Sequence, residues 1–140
     1  MPTHKTNASC FATLSDLAAY KHAKSHGMSD IEAFRLGDNG VGCWGDDTAQ
    51  LKIPMCALPP EDMEIEFGSV DKAKHQKIKV VCGNTSVICL LADRMPHKCN
   101  IRNGCGIDLN PAALVAFGKS STDDVILHVT WEPIKLTPVK

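Results

Sequence analysis

Asp108 is the lone acid in Gly104-Cys105-Gly106-Ile107-Asp108-Leu109-Asn110. Its flanks, Ile107 and Leu109, are apolar. An acid held among apolar groups keeps its proton closer to neutral pH, which suits a general acid. A second acid, Asp93, closes the apolar run Val87–Leu91 within Ala92-Asp93-Arg94-Met95-Pro96. Two carboxylates at the ends of buried strands can face one groove. Inverting cleavage of a glycosidic bond needs such a pair, an acid and a base on opposite sides of the bond. Asp46 and Asp47, just after Cys43-Trp44, are the base candidates. The plainer alternative for Asp93 is neutralisation by Arg94. For Asp93 or Asp108 it is a structural aspartate that accepts backbone amides. Trp44 and Trp131 carry planar apolar faces on which a pyranose ring can stack, and Trp131 can equally fill a core.

Other chemistries fit less well. His97, Cys99 and Cys105 invite a zinc reading, but their spacing is not that of a zinc knuckle, so no metal or cofactor is expected. A Cys-His hydrolase built from Cys43 or Cys56 with His97 or His128 lacks the local context of an activated nucleophile. The Gly-Asn and Gly-Asp turns do not form a phosphate loop. Seven cysteines in 140 residues point to disulfides, and the odd count leaves at least one thiol unpaired. Cys99–Cys105, Cys43–Cys56 and Cys82–Cys89 are the candidate pairs, with the connectivity open.

Several elements must position these residues. Met1–Ala8 reads as a flexible lead-in. Ser15–His26 reads as a helix capped by Ser15 and stopped by Gly27. Ser29-Asp30-Ile31-Glu32 has capping-box spacing and opens a second short helix. Beyond Asp38-Asn39-Gly40, strand-like runs alternate with turns. Gly40–Trp44, Ile53–Leu58, Lys77–Cys82, Ser86–Leu91 and Val125–Trp131 are the expected strands. Pro59–Met63 is a turn or a single helical turn. Asn110-Pro111 caps and starts a helix that ends at Gly118. Many short strands with one helix among them favour a small barrel over a doubly wound sheet.

Composition bounds the rest. A chain of this length, 44% hydrophobic and with a formal charge of −1, makes one domain with a real core. Lys72, Lys74, Lys77 and Lys79 read as a solvated strand edge, so no nucleic-acid partner is expected. No apolar run is long enough to span a membrane. The reading is of a secreted or extracellular chain without its leader, with a cytoplasmic location and the assembly state left open.

Four segments together resemble a known family. They are Cys56-Ala57-Leu58-Pro59-Pro60-Glu61-Asp62, Gly83-Asn84-Thr85-Ser86-Val87, Ala92-Asp93-Arg94-Met95-Pro96 and Gly106-Ile107-Asp108-Leu109-Asn110-Pro111-Ala112-Ala113-Leu114. With the ending Val129-Thr130-Trp131-Glu132, they resemble the double-psi β-barrel domain of expansins, loosenins, barwin-like proteins and the rare-lipoprotein-A group. The resemblance covers roughly Gly40–Ile134. It implies a mainly β fold: a six-stranded double-psi barrel over 40–140, a short helix after Asp108, and an N-terminal helical extension over 1–39. It also implies a polysaccharide groove lined by Asp108 and Asp93. The histidine of the lytic transglycosylases is missing from Pro54-Met55-Cys56-Ala57-Leu58-Pro59. Gly42-Cys43-Trp44-Gly45 replaces the threonine and tyrosine usual in the first strand. The leading expectation is binding and non-hydrolytic loosening of a cell-wall polysaccharide such as cellulose, chitin or peptidoglycan. The alternatives are a glycoside hydrolase or lytic transglycosylase using Asp108, and a protein-interaction module on a barrel that has lost its glycan site.

Overall fold

Six strands close into a barrel in the computed structural model, which describes residues 3–36, 38–101, 104–119 and 126–134. The strands are β1 (His4–Cys10), β2 (Met55–Leu58), β3 (Lys77–Cys82), β4 (Thr85–Arg94), β5 (Cys105–Leu109) and β6 (Leu127–Pro133). Around the barrel they run β1-β5-β2-β4-β3-β6. The β1/β5 and β2/β4 pairs are parallel and the other pairs antiparallel. This is the mixed six-stranded architecture expected for a double-psi barrel. Closure gives each of these strands a partner on both sides.

The core follows from alternation along the strands. Ile78 and Val80 of β3, Val87, Cys89 and Leu91 of β4, and Ile107 and Leu109 of β5 point inward with Val129 and Trp131 of β6. Trp131 is 1% exposed. Its ring stacks on His4, with centroids 3.9 Å apart and planes 6° from parallel. The helices are α1 (Leu14–Ser25), α2 (Asp30–Leu36), α3 (Pro60–Phe67), α4 (Val70–Ala73) and α5 (Pro111–Ala116). Thr13, rather than Ser15, caps α1. Ser29 and Glu32 form the expected capping contacts of α2. Asn110 caps α5 through the Ala113 amide, and Pro111 holds its first turn.

Three expectations are corrected. His4–Cys10, read as part of a lead-in, is a barrel strand between β5 and β6. The boundary at residues 39 and 40 therefore does not divide an extension from the barrel; α1 and α2 are an insertion between two barrel strands. Gly40–Trp44 makes only an isolated bridge, Val41 with Asp47. Gly42 and Gly45 turn the chain there, through Gly42 N–H to Asp46 O and Gly45 N–H to Gly42 O, both 2.9 Å. Residues 59–63 open the full helix α3, whose buried acids find partners from afar: Asp62 pairs with Lys98 at 2.8 Å and Glu66 Oε1 lies 2.7 Å from His4 Nε2. Val125 lies outside the described residues, and its strand runs on to Pro133.

The disulfides are also corrected, since all seven cysteines are thiols and none is bonded to another. In the β3/β4 ladder Cys89 sits opposite Ile78, while Cys82 sits opposite Thr85 at the other end. Cys43 is exposed on a loop, whereas Cys56 is buried in the core, where its thiol meets that of Cys89. Cys99 is exposed on the 3-10 turn Lys98–Asn100, and Cys105 is buried on β5.

Candidate functional site

The ladder places the two leading acids in one row. Ser9 of β1 is in register with Asp108 of β5, Asp108 with Ala57 of β2, and Ala57 with Asp93 of β4. Side chains in register across a sheet share a face. Asp108 and Asp93 therefore flank Ala57 on one side of the barrel. With strands about 4.8 Å apart, their backbones are separated by roughly 10 Å. Ala57 itself belongs to a small apolar cluster with Phe11, Ala12 and Met95. The residue between the two acids in the ladder thus belongs to apolar packing.

Burial is the largest influence on each carboxyl. Asp108 is raised from 3.8 to about 6, mainly by burial. The Ser9 hydroxyl donates to its Oδ1 and opposes the rise, while the negative charges of Asp93, Asp38 and Asp16 add to it. Asp38 is raised to about 6 by burial and by Asp93 and Asp16, against the Gly40 N–H that donates to its Oδ1 at 2.6 Å. Asp93 is raised by burial although it collects donors: Arg94 N–H at 2.8 Å, Cys43 N–H at 2.9 Å and the Cys43 thiol. Cys105 sits beside Ser9 and Asp108, and burial pushes its thiol up.

The base candidates are engaged elsewhere. Asp46 Oδ2 pairs with His75 Nε2 at 2.7 Å. Asp47 Oδ1 accepts the Ala49 N–H at 3.2 Å. Neither is among the charges that act on Asp108. Trp44 is half-buried against the core and meets the edge of His75, with centroids 6.3 Å apart. Trp131 is enclosed in the barrel, where its ring serves packing. His97 pairs with Glu61 and His128 with Asn7. Among the described residues no three potential metal ligands come together. Two concavities open elsewhere. One of about 310 Å³ is lined by His4, Asp62, Lys98 and Trp131, and one of about 620 Å³ by Lys5, Asn7, Val81 and His128. Asp108 and Asp93 line neither.

Sequence reasoning missed Ser9 and Asp38. Ser9 lies next to the segment taken for a lead-in, where no strand was expected. Asp38 opens an Asp-Asn-Gly turn whose composition signals the turn and nothing more.

No protein-family model matches the sequence, and no curated protein matches it significantly. Solved structures do match. A Streptomyces papain inhibitor aligns at a TM-score of 0.55 and 13% identity over 96% of both chains. The Clavibacter michiganensis expansin aligns at 0.56 in two forms. Its apo structure is 12% identical and a point mutant in complex with cellohexaose 10%, each over 99% of this chain. The chain spans about half the length of that expansin, 53% and 54% in the two forms. Identities this low speak for the backbone arrangement alone, and the chain carries the double-psi β-barrel fold that these structures share.

Proposed function

We propose that this barrel binds the sugar chain of a cell-wall polysaccharide and loosens its packing without cutting it. One observation carries the reading. Asp108 is a half-buried acid that holds its proton to about pH 6, on a strand row shared with Asp93, whose Oδ1 already accepts the Cys43 and Arg94 amides. Asp93 also takes the Cys43 thiol, and Asp46 is tied to His75. A neutral carboxyl donates a hydrogen bond to a sugar oxygen, and Trp44 offers an apolar ring for stacking. Hydrolysis needs a base as well, and the acids read as base candidates, Asp46 and Asp47, are engaged with His75 and the Ala49 N–H. The likeness to an expansin solved with cellohexaose makes cellulose the first polymer to test.

A second reading, a protein-binding barrel, is favoured by the papain inhibitor, which matches over 96% of both chains where the expansin extends well beyond this one. One panel separates the readings. The protein is incubated with cellulose, chitin and peptidoglycan, bound protein is measured, and released products are sought by mass spectrometry. Binding without product, weakened by Asp108→Asn, is the expected result. Product release abolished by Asp108→Asn means hydrolysis or lysis. Absence of binding to all three, with inhibition of a papain-type protease, moves the function to protein recognition.

A further inference from the structure

We infer that Asp93 is a positioning residue: it fastens the loop from Gly40 to Thr48 onto the barrel and thereby presents Trp44. The loop closes on itself through the Val41–Asp47 bridge and the bonds Gly42 N–H to Asp46 O and Thr48 N–H to Gly40 O, while its outer part faces solvent. Val41 is 48% exposed and Cys43 is exposed. Its backbone nonetheless comes very close to β4, so that a side chain at Gly42 would collide with the Ala92 carbonyl oxygen. Asp93, the next residue, accepts from Cys43 twice, through the amide and the thiol, and from its own neighbour Arg94. Two of its three donors thus belong to the residue before Trp44. A second fastener lies two residues after Trp44, where Asp46 pairs with His75. His75 takes a left-handed backbone (φ 61°), a conformation unfavourable for a residue with a side chain, and its N–H is bonded to Leu91 O at 3.0 Å. Trp44 stands between these fasteners, edge-on to His75.

This arrangement gives Asp93 a geometric task. Its oxygen acts as an acceptor, a role that an asparagine oxygen also fills. That presenting Trp44 serves sugar binding rests on the function proposed above; the fastening itself does not.

The test compares Asp93→Asn with Asp93→Ala. Acrylamide quenching of tryptophan fluorescence reports Trp44, because Trp131 is enclosed, and Trp44→Phe supplies the background. Asp93→Ala is expected to raise the Trp44 quenching constant about twofold or more as the loop opens locally. Asp93→Asn is expected to stay near wild type. Cellulose affinity should follow, falling about tenfold in Asp93→Ala for the loss of charge-assisted bonds and being largely rescued in Asp93→Asn. Unchanged quenching in Asp93→Ala overturns the inference. So does equal exposure in both variants, which would make the charge the active property. If Asp93→Ala does not fold, hydrogen exchange at the Cys43 amide decides. Protection in wild type and Asp93→Asn supports the fastening, and fast exchange in either overturns it. Altered Trp44 quenching with unaltered polymer binding upholds the fastening and refutes the sugar-binding role.

Discussion

Replacing Asp108 with Asn should stabilise the protein at pH 8 and leave it nearly unchanged at pH 4. Asp108 has a native pKa of about 6 against an ordinary value of 3.8. Folding therefore favours the protonated form. Its contribution is fully present below pH 3.8 and is lost as pH rises through about 6. At about 1.36 kcal/mol per pH unit, holding the ionised form in the native state costs about 3 kcal/mol, a ceiling because the side chain keeps some contact with water. Asparagine carries no charge, and its oxygen still accepts from the Ser9 hydroxyl. The gap between variant and wild type should open between pH 4 and pH 7 and then level off. Urea denaturation at half-unit pH steps measures it. Asp38, raised by the same burial, gives wild type a further decline over the same range that the variant retains. A gap that is flat with pH, or a variant less stable at pH 8, refutes the argument that burial governs this acid.

Asn110 offers a harsher perturbation. It is fully buried; its Oδ1 accepts from the Met55 and Ala113 amides, and its Nδ2 donates to Thr48 O and Ile53 O. Asn110→Ala should cost on the order of 3 kcal/mol or more in chemical denaturation, since it removes a helix cap and strands buried backbone groups. Thiol chemistry tests the cysteines. Ellman's reagent should modify Cys99 quickly in the native protein, Cys43 more slowly because burial and Asp93 raise its thiol, and all seven thiols after denaturation without reductant. A shortfall after denaturation would mean that some sulfurs are already bonded to each other.

What the sequence disclosed depended on how local the determining physics was. Asn110-Pro111, Ser29 with Glu32, and the Gly83-Asn84 hairpin obey rules spanning a few residues, and each appears where its residues place it. β1 obeys a rule that spans the chain. His-Lys-Thr-Asn-Ala-Ser-Cys shows little apolar alternation, because one inward position is filled by the small Ala8 and another by His4 lying flat on Trp131. The acids of α3 look solvent-facing in sequence, and their partners Lys98 and His4 are brought up only by the fold. Asp108 and Asp93 were legible as candidates. Their shared row, the donors gathered by Asp93, and the diversion of Asp46 to His75 depend on strand order, which no local spacing encodes.

The placement of β1 has a consequence during synthesis. Both of its neighbours, β5 and β6, come from the last third of the chain, and its partner for His4 is Trp131. While the ribosome works, this strand lacks both of its barrel partners until β5 and β6 emerge. Barrel closure is therefore a late event dominated by distant contacts, the kind that slows folding. Nascent chains stalled before residue 127 should hold their first strand without its β6 partner and open to chaperones.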